Sequence, residues 1–119
     1  MGRLTRDQIV AQVELRTEVV EVPEWGGSVV VRELSGRERD VFEASIVKRH
    51  GQKTSLDMEN MRARFVAACV IGDDGQPLFY PSDVERLGEL GAAALERVFS
   101  VGRRLSGMSD QDVEELTKN

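Results

Sequence analysis

Residues 21–34 read EVPEWGGSVVVREL, and the class of fold turns on them. Two valine-rich segments, Thr17 to Val22 and Ser28 to Leu34, flank a Pro-Glu-Trp-Gly-Gly link. β-Branched residues suit a pleated, half-buried surface, and Gly26-Gly27 gives the chain the freedom a reversal needs. The pair predicts a β-hairpin whose loop is somewhat longer than the tightest class. Alternation puts Glu18, Val20 and Val22 on one face. On the partner strand it groups Val29 with Val31, opposite Val30, Arg32 and Leu34. A lone hairpin is marginal in water, so helices must cover its valine face. Trp25, the only tryptophan, sits in the link, and two readings of it stand. The ring folds back and caps the core, since tryptophan is highly buried on average. Alternatively, it is an anchor for a partner, since tryptophan is enriched at binding hot spots.

The rest of the chain has helical punctuation. Capping boxes, in which Ser or Thr and a Glu or Gln three positions on satisfy each other's free N–H groups, fit Thr5 with Gln8, Ser35 with Glu38 and Ser82 with Glu85. Ser109 with Asp112 is a weaker version. The spacing predicts a short helix from Arg6 to about Val13 with Ile9, Val10 and Val13 on one face. A second runs from Ser35 to about Arg49, with Val41, Phe42, Ser45 and Ile46 inward and Gly51 as its terminator. The best amphipathic stretch is Leu56 to Ile71, where Met58, Met61, Phe65, Ala68 and Cys69 recur at helical intervals. A turn at Gly72–Gly75 and an extended apolar patch from Pro77 to Pro81 follow; Leu78–Tyr80 is open as a third strand. Val84, Leu87 and Leu90 mark a short helix, and Leu95, Val98, Phe99 and Gly102 mark one from Ala92 to about Leu105. The expected fold is α+β: one domain over 1–119, with an N-terminal β-hairpin packed on four to six short helices, the terminal ones at 5–13 and 109–117.

Composition narrows the function classes. The chain has 119 residues, is 40% hydrophobic and 31% charged, and carries a formal net charge of −5. That suits a soluble globular domain and argues against nucleic acid, which needs a concentrated basic face. The basic run Lys48, Arg49, His50 and Lys53 reads as cations complementing a helix C-terminus. Asp110, Asp112, Glu114 and Glu115 make the end of the chain acidic. Cys69 is the only cysteine, so no internal disulfide forms and a reducing cytoplasm fits. The first residues lack the apolar stretch of a signal peptide. The longest apolar run, Phe65 to Ile71, is far too short to span a membrane.

Catalytic and metal chemistry find no footing. His50, the single histidine, has no cysteine near it in sequence and no base–nucleophile arrangement around it. Cys69 falls on the apolar face of a predicted helix, where a thiol acts as a small hydrophobe. Gly72-Asp73-Asp74-Gly75 follows a helix and lacks the Lys-Ser or Lys-Thr of a phosphate loop. The expectation is a non-enzyme with no catalytic residue, cofactor or metal. Two features then suggest a protein partner: Trp25, and the trio Met58, Met61 and Phe65. Core packing is the default for the trio, although methionine also suits surfaces that accept varied partners.

Three stretches carry a resemblance: EVPEWGGSVVVRELSGRERDVFEAS, RARFVAACVIGDDGQPLF, and DVERLGELGAAALERVFSVGRRLSGMSDQDVEEL. In order and character they resemble the tail assembly chaperones of long-tailed bacteriophages across nearly the whole chain. The resemblance implies a late viral protein of the infected host's cytoplasm that is absent from the finished particle. Its partner would be the very long, largely helical tape measure protein, kept soluble while tail tube subunits assemble around it, with the tail tube protein as a further partner. A self-associated form is compatible with this. Many such genes also yield a longer product by ribosomal frameshifting. The chain ending at Asn119 would be the short form, and Thr117-Lys118-Asn119 can be encoded with an A-AAA-AAC slippery run. The family brings no catalytic residues. The competing readings are a small cytoplasmic adaptor and a minor structural tail protein.

Overall fold

The computed structural model describes residues 2–12 and 14–108. The helix expected at 109–117 and Val13 of the first helix lie outside the described residues. Five α-helices and five strands are described: α1 (Arg6–Val10), β1 (Thr17–Val22), β2 (Gly27–Arg32), α2 (Gly36–Ser45), β3 (Val47–His50), β4 (Lys53–Leu56), α3 (Met61–Cys69), β5 (Val70–Ile71), α4 (Val84–Leu87) and α5 (Ala92–Leu105).

The hairpin forms as its sequence demands. β1 and β2 pair antiparallel with Val20 opposite Val29 and Glu18 opposite Val31. Val20, Val22 and Val31 are buried, while Val19 on the other face is 62% exposed. Pro23–Trp25 makes one 3₁₀ turn at the tip, closed by Gly26 at φ +80, a conformation that favours glycine. The third strand is β5, which pairs with β2 through Val31 and Val70. Leu78–Tyr80 is not a strand; Leu78 N–H donates to the Val70 carbonyl at 3.0 Å, and Pro77 makes an isolated bridge to Ile71.

α5 lies along the buried face of this sheet in a register set by four cross-links. Arg97 holds Glu24 at the hairpin tip. Arg104, two turns on, reaches Glu18 near the start of β1 at 2.8 Å. Arg16 donates to the Leu105 carbonyl, and Ser106 Oγ accepts from Leu34 N–H at 2.9 Å. α5 therefore runs antiparallel to β1. Exposed ion pairs add little stability; burial of Val98, Phe99 and Leu105 in one core cluster with Val20, Val22 and Val31 does most of it. α3 packs on α5 where Gly102 meets Cys69. A Cβ on Gly102 would fall 2.9 Å from Cys69 Sγ and 3.0 Å from Phe65, so only glycine allows this close approach.

Several boundaries differ from the sequence expectation. Both Thr5–Gln8 and Ser35–Glu38 boxes close with both bonds. The Ser82–Glu85 box does not; the Asp83 carboxylate instead accepts from Tyr80 N–H at 2.8 Å, because Pro81 opens the turn one residue earlier. α2 stops at Ser45, whose hydroxyl donates to the Phe42 carbonyl at 2.6 Å. The chain then becomes the hairpin β3–β4, with Gly51 at φ +65 in its two-residue turn, not at a helix end. The Lys48–Lys53 cations consequently stand on exposed strands and not at a helix C-terminus. α3 starts at Met61, because Asn60 is left-handed at φ 59 and cannot continue a helix back to Leu56. α1 has no buried residue.

Candidate partner-binding groove

Side chains of α2, α3 and the segment 77–84 line a groove of about 630 Å³. α2 contributes Val41 and Phe42, α3 contributes Ala67 and Ala68, and the 77–84 segment contributes Phe79 and Tyr80. The floor is rigid. The Phe42 ring meets Phe65 edge-on at 5.0 Å between centroids, and Phe65 meets Phe99 likewise at 5.1 Å. This chain of aromatic contacts ties the floor to the centre of the core. The alanines keep the α3 wall low, and Pro77 and Pro81 fix the backbone of the opposite wall.

The rim is exposed and apolar. Val41 is 64% and Tyr80 73% exposed. The charged groups lining the groove are largely engaged within the protein. Glu38 binds Arg32 at 2.6 Å and the Ser35 N–H at 2.9 Å. Arg64 binds the Asp57 carboxylate at 3.2 Å, and that hydrogen bond leads the influences holding Asp57 below the usual carboxylate range. Arg37, exposed at the edge of the groove, has no ion pair among the described residues; with Glu38 and Arg64 already paired, the apolar floor accepts apolar side chains at small desolvation cost.

The residues singled out from sequence fall elsewhere. Met61 and Phe65 are core, 2% and 0% exposed. Met58 precedes α3 in a loop, half-buried, so the three do not form one helical stripe. Met58 and Met61 border a smaller depression of about 180 Å³ with Asn60, Gly88 and Leu95. Trp25 is half-buried and packs against the core cluster. None of Trp25, Met58, Met61 and Phe65 lines the larger groove. Sequence periodicity missed Val41, which it placed inward; Phe42 and Ile46 are buried while Val41 and Ser45 face out. One signal was present: the run of apolar residues from Pro77 to Pro81 had no helical face to hide in.

The groove contains no catalytic constellation. Cys69 is buried, and burial pushes its thiol up to about 12, which leaves it unreactive. Among the described residues, no group of three or more His, Cys, Asp or Glu could hold a metal ion. Also among them, no helix is long and apolar enough to cross a membrane.

Comparison with known proteins supplies the family. The family model described as phage tail assembly chaperone matches residues 5–119. No curated protein matches. A solved structure of the bacteriophage HK97 tail assembly chaperone aligns with a TM-score of 0.57 at 24% identity, covering 76% of this chain and 85% of that chain. At that identity the likeness bears on the fold.

Proposed function

Since the chain belongs to the phage tail assembly chaperones, we propose that it binds the tape measure protein of its tail and keeps it soluble while tail tube subunits assemble around it. The observation that carries this is the apolar groove between α2, α3 and the 77–84 segment. A long helical protein waiting for its tube exposes apolar stripes, and an amphipathic helix presents such a stripe as side chains one turn apart. Val41, Phe79 and Tyr80 provide the higher walls for those side chains, Ala67 and Ala68 the low one, and Phe42 the floor. The chaperone acts in the cytoplasm of the infected host and leaves before the particle is complete. A longer frameshifted form, with a tail-tube-recruiting extension, belongs to the same proposal.

Co-expression tests it. The tape measure protein should be soluble with this chain and aggregate without it, and mass spectrometry of purified particles should lack the chain. Equal aggregation in both cultures overturns the chaperone reading. Detection in particles at subunit stoichiometry identifies a structural tail protein instead. Sequencing the last codons for a slippery run with an overlapping downstream frame decides the frameshift.

A further inference from the structure

The β3–β4 hairpin is a second feature, independent of the groove. Its residues 47–50 and 53–55 are exposed, and among the described residues no other strand pairs with either of its edges. Register places His50 opposite Lys53 and Lys48 opposite Ser55, so Lys48, His50 and Lys53 share one face and Arg49 takes the other. Lys48 touches Asp57 at 3.4 Å; Arg49, His50 and Lys53 have no ion-pair partner among the described residues. The protein as a whole carries −5, so this arm concentrates positive charge on an otherwise acidic molecule.

From this arrangement we propose that β3–β4 is a docking arm for an acidic, extended segment of a partner protein, added as a third strand. Two properties coincide. In an antiparallel pair, every second residue on each strand turns its N–H and C=O away from its partner, and an added strand satisfies them. The cations flanking that edge select carboxylates on the incoming segment and raise its rate of encounter. Nucleic acid fits less well: the arm carries no aromatic residue on which a base can stack, and the net charge repels a long phosphate chain. Edge lysines also serve to deter strand pairing, but a deterrent function gives no affinity for an acidic strand.

The test uses the full-length ¹⁵N-labelled protein. The probe is a capped octapeptide of alternating valine and glutamate, compared with its glutamine counterpart and with a short oligouridylate. The glutamate peptide should shift amides within 47–56, protect alternate ones from exchange, and bind more weakly as salt rises. Arg49→Glu with Lys53→Glu, which breaks no ion pair among the described residues, should weaken binding about tenfold, and a valine–lysine peptide should then bind in its place. Unshifted amides at 47–56, equal binding of the glutamine peptide, or tighter binding of the RNA overturns the proposal.

Discussion

Arg97 of α5 grips Glu24 through both carboxylate oxygens, across 73 positions of sequence. The clamp holds the hairpin tip, and the Trp25 ring next to it, down on the helical layer. It also holds the Glu24 carboxyl down to about 2, led by the Arg97 hydrogen bond. A carboxylate whose folded value lies below its ordinary 4.5 contributes fully above that ordinary value and is lost as pH falls through the folded one. The tip should therefore release between about pH 4.5 and about 2. Fluorescence of Trp25, the lone tryptophan, reads this out, with circular dichroism separating local release from global unfolding. In Arg97→Gln the clamp is absent at every pH, so the fluorescence should already be that of the released tip at neutral pH and the low-pH change should be lost.

The two faces of the hairpin should respond oppositely to the same change. Val31 is fully buried, between Glu18 and Val70. Val31→Asp buries an unpaired carboxylate and should cost at least about 3 kcal/mol, a large share of the stability of a marginally stable domain. Val19→Asp, on the exposed face, should cost within about 1 kcal/mol. Urea titration of both variants decides this; a lower midpoint for Val19→Asp than for Val31→Asp would mean that the sheet is packed on its other side.

At the crossing of α3 and α5, Gly102→Ala adds a methyl 2.9 Å from Cys69 Sγ. Overpacking of this kind costs about 1–3 kcal/mol, offset by about 1 kcal/mol of helix propensity. A lower melting temperature is expected. Cys69→Ala should relieve part of the strain, making the double variant more stable than the sum of the singles by about 1 kcal/mol. Strict additivity would show that the helices can separate without penalty.

The legible parts of the fold are the local ones. Val20, Val22 and Val31 announced their buried face through alternation, and Ser35–Glu38 announced a helix start through two side-chain bonds within one turn. The α2 terminus was not legible, because Val47–His50 satisfies a helix and a strand about equally until Gly51 turns left-handed. Nor was the start of α3, since nothing at Asn60 forces φ 59 except its surroundings. The groove was the least legible feature. Val41, Ala68 and Tyr80 come from three separate segments, and no spacing rule within one element can join them. Trp25 drew notice by its type and its place at the hairpin tip, while the clamp on neighbouring Glu24 lies 73 positions away in Arg97.

The central claim, that the groove holds an apolar stripe of the tape measure protein, is tested most directly by the affinity of a soluble tape measure segment for three proteins: wild type, Val41→Glu and Val19→Glu. Both valines are more than half exposed, so neither variant should lose its fold, and melting temperatures confirm that. A carboxylate at Val41 enters the groove, where it should cost about 2 kcal/mol of binding, roughly a thirtyfold weaker Kd. The same charge at Val19, on the outer face of the sheet, should leave Kd unchanged. If Val41→Glu binds as wild type does, the groove is not the contact and the account is contradicted.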